Sequence, residues 1–219
     1  MVRRVMTMDD APSVEGTTTL PELPWPRAGD VLFSEAPDWW HNACVGRSKE
    51  QWYGYIEGYK QAANILVRQV VETRSDQDFL VFPIVFLFRQ AVELSLKHLL
   101  FKGNQLLDRT PVARIRHKLV PLWEECRPIV EEVWPAGPKQ DLDAVGEVLR
   151  QFEERDPGST AFRYPVDTSG NASLPVSERI NLRNLSDVAN RALALLESCA
   201  CGIGEYLEYK RENEWDRAR

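Results

Sequence analysis

Arg89, Glu93 and Lys97 recur at four-residue steps. Side chains four apart on a helix share a face, so these three can pair along it, guanidinium to carboxylate to ammonium. The segment around them, from Phe79 to Leu100, is otherwise almost wholly apolar. Its charges are therefore expected to be partly buried, and a buried charge left without a partner is costly. The row reads either as a structural ladder that fixes helix register, or as the wall of a polar pocket or dimer seam.

A second group is basic: Arg109, Arg114, Arg116, His117 and Lys118. Cations at the start of a helix oppose its dipole, and an anion sitting there would relieve the opposition. Phosphate or RNA binding is one reading of the cluster, and a solvated charge run is the other. A third group, Asp156 to Tyr164, mixes acidic, hydroxyl and basic side chains within a loop. Arg163 is expected to anchor that loop by pairing with a carboxylate such as Glu93 or Asp156. Arg89, Glu93, Lys97, Arg114, Arg116, His117, Asp156, Arg163 and Tyr164 together are the candidate pocket or anion site.

Other chemistries find little material. The chain has no Gly-x-Ser-x-Gly elbow, glycine-rich phosphate loop, His-Glu-x-x-His or Cys-x-x-Cys. Each of these supplies the nucleophile geometry, anion cradle or ligand spacing that its reaction needs. With three histidines and four scattered cysteines, neither a metal nor another cofactor is expected. Cys199 and Cys201 are two apart on an expected helix and point to nearly opposite sides.

The elements that must position these groups are helical. The 219 residues, 43 % hydrophobic and 27 % charged, suit one all-α domain with an extension. The net charge of −6 disfavours nucleic acid except at a local basic patch. The N-terminus shows two arginines with no apolar stretch behind them, and the run from Phe79 to Phe88 is half a membrane span. A cytoplasmic location without membrane contact is expected.

Residues 1–46 form an extension rich in proline and tryptophan. Trp25, Phe33, Trp39 and Trp40 should pack its second half against the body. Residues 47–215 carry the helices of an up-and-down bundle. Helix one is expected over 49–73, capped by Ser48 and Gln51, with a stripe of Trp52, Tyr55, Ile56, Tyr59, Ala63, Leu66 and Val70. Helix two is expected over 78–102, central and touched by all the others, with Pro83 near its first turn. Helix three should open at Thr110-Pro111 and be kinked or divided by Pro128. Helix four should span 140–154. After a loop of about 25 residues, the last helix should run over 182–212, loosened or closely packed at Gly202 and Gly204.

Three segments together resemble the HEPN superfamily of small helical bundles. RQAVELSLKHLL (89–100) resembles its Ala-x-Glu-x-x-x-Lys helix, HKLVPLW (117–123) its His-x-Leu segment, and FRYP (162–165) its Arg-Tyr-Pro before the final helix. The likeness spans Trp52 to Tyr206 in outline. It implies a dimer-forming bundle of the kind found among ribonuclease toxins, their partners and prokaryotic defence components. By this resemblance the family's Glu and Lys fall on Glu93 and Lys97, and its Arg-Tyr on Arg163 and Tyr164.

The nuclease members resemble one another in an Arg, four to six residues, then a His near the last helix. Here eight residues separate Arg89 from His98, seven separate Arg109 from His117, and the last helix has no histidine. The expectation is a homodimeric, non-catalytic interaction or RNA/nucleotide-binding component of a toxin–antitoxin or defence-type system, with a protein partner encoded nearby. The alternatives are a divergent metal-independent ribonuclease, in which Arg114, Arg116 or His117 acts with Arg163 and Tyr164, and a protein-binding scaffold using the aromatic extension.

Overall fold

The computed structural model describes residues 25–46, 51–110, 117–175 and 179–217. The chain divides into two units, Met1–Val45 and Gly46–Arg219. In the first, a 3₁₀ turn at Trp39–His41 is closed by Asn42. Its side chain takes the Ala36 N–H at 3.0 Å and donates to the Ala36 carbonyl at 2.5 Å. His41 Nδ1 lies 2.5 Å from Asp38 Oδ2. Trp25 and Phe33 in this unit are about 90 % exposed.

The second unit is all-helical: α1 Gln51–Thr73, α2 Gln77–Leu106, α3 Leu119–Val133, α4 Lys139–Arg155 and α5 Leu182–Arg217. The described residues hold no strand, only an isolated bridge between Val166 and Ala172. α2 packs against α1, α3 and α5, while α4 packs on α3 and α5. The core of α2 is Ile84, Val85, Phe88, Ala91, Val92, Leu96 and Leu99, all buried. Of the five helices, α2 alone is long and apolar enough in composition to cross a membrane; half of its most apolar window is buried in the bundle.

The heptad-like stripes of α4 (Leu142, Val145, Leu149, Phe152) are buried as the spacing requires. In α1 the buried face is Ile56, Ala63 and Val67, so Tyr55 falls outside it and is exposed. In α5 the buried line is Ala189, Ala192, Leu193, Leu196, Ala200, Ile203 and Leu207. Tyr206 is half exposed and lies against Trp134.

Several boundaries differ from the sequence expectation for local reasons. Pro83 lies inside α2, beyond its first turn. Gly103 does not stop that helix: a Cβ there would meet the Ile129 side chain at 2.4 Å, so the glycine admits α3 closely. Gly202 plays the same part in α5 against the Trp134 ring, at 2.9 Å. α3 starts at Leu119, and Thr110, His117 and Lys118 are not helical, while the expected opening at Thr110-Pro111 runs into residues outside the described ones. Pro128 sits within one continuous α3 and does not divide it. The Ser48 cap, Pro111, Arg114 and Arg116 lie outside the described residues.

Candidate functional site

The charged row of α2 faces inward. Arg89 is 0 % exposed and Glu93 2 %. Arg89 is a three-way fastener. Its Nη1 donates to Glu93 Oε2 at 3.1 Å, one turn on in the same helix. Its Nη2 donates to the His117 carbonyl at 2.7 Å, and its Nε to the Asp156 carbonyl at 3.2 Å. These carbonyls belong to different connections, one entering α3 and the other leaving α4. Only a planar fork of five N–H donors can address three acceptors in such different directions.

Glu93 is the second junction. Its Oε1 accepts Lys97 Nζ at 2.7 Å and lies 3.1 Å from His117 Nδ1. Lys97 keeps about a fifth of its side chain exposed, and the His117 ring more than half. Asp156, buried, completes the balance, since Arg89 and Lys97 face Glu93 and Asp156, two cations to two carboxylates. This neutrality is what allows so many charges below the surface.

Asp156 also builds the neighbouring turn. Its Oδ1 accepts the N–H groups of Thr160 and Ala161 at 2.6 and 3.0 Å. Its Oδ2 accepts no hydrogen bond and lies 3.9 Å from Arg89 Nε. The turn continues through the N–H groups of Arg163 and Tyr164, which both donate to the Thr160 carbonyl at 3.0 Å. Arg163 and Tyr164 are thereby held on the surface at the end of a chain of contacts that begins at Arg89.

Arg163 does not pair with Glu93 or Asp156, as was expected of it. Its Nε donates to the Ser159 carbonyl at 2.5 Å, and the guanidinium lies over the rings of Phe86 and Tyr164, 5.4 and 5.6 Å from their centroids. Arg89 already occupies the Asp156 side of the network, so Arg163 settles on aromatic faces, which attract a cation. Its terminal nitrogens have no hydrogen-bond partner among the described residues. Tyr164 is 55 % exposed.

The structure therefore joins Arg89, Glu93, Lys97, His117 and Asp156 in one network and sets Arg163 and Tyr164 beside it. Arg109, which shared a basic cluster with His117 in the sequence, instead pairs with Glu132 at 2.5 Å. Phe86 was not singled out by the sequence. It stands three residues before Arg89 on the same helix, but only the folded loop brings Arg163 onto it. The stack of Trp52 on His98, centroids 5.9 Å apart and nearly parallel, was equally unmarked.

The described residues contain no group of three or more His, Cys, Asp or Glu side chains placed to hold a metal ion. A mostly apolar cleft of about 620 Å³ lies elsewhere, around Trp134, Leu142, Leu195 and Cys199.

Fold and network define an all-α bundle with a buried ionic junction under one surface loop. No family model matches the chain, and no curated protein and no solved structure matches it.

Proposed function

We propose that this chain is a HEPN-like bundle that binds rather than cuts: a homodimeric cytoplasmic interaction or RNA/nucleotide-binding component of a prokaryotic toxin–antitoxin or defence-type system. The observation that supports it best is the junction of Arg89, Glu93 and Lys97, paired and largely buried as their spacing and apolar setting lead one to expect, with Arg163 and Tyr164 displayed next to it. The surface beside the junction offers an open guanidinium, a half-exposed imidazole and an aromatic ring, groups that suit phosphate and base. The last helix carries no histidine, which removes the usual proton carrier.

Sedimentation velocity combined with an RNA and nucleotide titration at two salt concentrations tests this reading. A dimer whose affinity falls as salt rises is expected. A monomer with no salt-sensitive affinity rejects it.

One observation favours a second reading, a divergent ribonuclease. Glu93 holds Nδ1 of His117 while the ring stays more than half exposed. That is the arrangement in which a carboxylate orients an imidazole and leaves its Nε2 to move a proton. An RNA-cleavage assay separates the two readings. Cleavage by the wild type that His117→Ala abolishes establishes the enzyme, and equal cleavage by both proteins removes His117 as its catalyst.

A further inference from the structure

The two polar ends of this surface lie at different levels of α2. Arg163 rests on Phe86, and His117 meets Glu93 seven residues further along, with Lys97 another turn on. At a rise of 1.5 Å per residue, Phe86 to Glu93 is about 10 Å and Phe86 to Lys97 about 16 Å. A single nucleotide cannot put its phosphate on both ends. A stacked strand, whose phosphates advance about 3.4 Å per nucleotide, covers the distance in roughly three to five nucleotides.

The chemistry at each end fits a strand with unpaired bases. Tyr164 offers an exposed ring, usable only by a base that is not sealed inside a duplex. Arg163 is held by the Ser159 carbonyl and two rings, so its free nitrogens are fixed in place before any ligand arrives. At the other end Lys97, a fifth exposed and joined to Glu93, stands beside the His117 ring, which is more than half exposed. Arg89 lies buried between the two ends and adds its charge from below.

We propose that the surface over this stretch of α2 is a track for a short single-stranded polynucleotide, with a base stacked on Tyr164, one phosphate at Arg163 and another at Lys97 and His117. The proposal rests on the binding reading above and narrows it from any RNA or nucleotide to an unpaired strand of a few units. An acidic peptide could satisfy the same cations, but it would leave the Tyr164 ring unused.

Fluorescence anisotropy on the full chain tests the track, using labelled uridylates and deoxythymidylates of one, two, four and eight units and a polyglutamate of matching charge. Affinity should climb with length to about four units and then level off. Tyr164→Ala should weaken the tetranucleotide about ten-fold while Tyr164→Phe retains it. Arg163→Gln should weaken it and flatten the log–log salt slope by about 0.7. Equal binding of the two sugars, or a preference for ribose, each accords with the track.

A mononucleotide that binds as well as the tetranucleotide overturns the track and leaves nucleotide binding standing. Polyglutamate binding equal to that of the octamers overturns it in favour of an unspecific charge patch, as does Tyr164→Ala binding like wild type. Failure of every nucleotide and oligomer to bind overturns both the track and the nucleic-acid reading. Tyr164 is exposed, and the circular dichroism of its variants should match wild type.

Discussion

Arg89 carries more of this structure than any other single side chain. Its three acceptors lie on α2 itself, before α3 and after α4. Arg89→Ala leaves Glu93, Asp156 and two carbonyls short of a donor in a buried place. The expected loss is about 3–5 kcal/mol in urea unfolding. Arg89→Lys should recover only part of it, because an ammonium cannot reach three divergent acceptors at once. His117→Ala should cost less than about 1 kcal/mol, since its ring is mostly in water and its carbonyl stays in place. Equal stabilities of Arg89→Lys and wild type would refute the fastener.

The same residues show how far the sequence could be read. The four-residue spacing of Arg89, Glu93 and Lys97 states that they share a helix face, and the apolar setting states that they are buried. Neither states that Arg89 reads the carbonyls of His117 and Asp156, because backbone acceptors leave no mark on residue type. Arg163 departs from its expected ion pair for a related reason. A guanidinium near carboxylates in sequence suggests an ion pair, yet the acids were already committed and the aromatic faces were not.

At the scale of the helix, spacing recovered the existence of all five helices and the inner face of α4. It failed where packing overrode local preference. Gly103 looks like a helix breaker and Gly202 like either a loosening or a close contact, and each is the place where a neighbouring side chain comes too close for a Cβ. The prediction is a sign reversal between glycines. Gly202→Val should destabilise by about 1–3 kcal/mol through overpacking against Trp134. Gly58→Ala in α1, where nothing lies within 4 Å, should stabilise by roughly 0.5–1 kcal/mol. Thermal midpoints moving in the same direction for both would contradict the close approach.

For the molecule as a whole, the bundle sorts its thiols by depth. Cys126 is fully buried, its Sγ 3.2 Å from the Leu96 carbonyl, and burial pushes its thiol well above the ordinary range. Burial also raises Cys199, whereas Cys201 is exposed. Native alkylation near pH 8 should therefore modify Cys201 rapidly and leave Cys126 intact until the bundle unfolds. Peptide mass mapping over time reads this, and prompt labelling of Cys126 in native protein would show a core looser than the one described. The acidic overall charge was legible from composition. The local balance of two cations and two carboxylates at the junction was not, because it is assembled from segments 67 residues apart.

The carbonyl at residue 117, not its imidazole, is what ties the chain down. A main-chain oxygen is supplied by every amino acid, so the clasp survives whatever side chain occupies the position. Replacements there can redraw the exposed chemistry, gaining or losing a proton carrier, while the scaffold beneath goes almost untouched. Binding and cutting versions of this surface could then be reached from one another by single substitutions without an intervening unfolded variant.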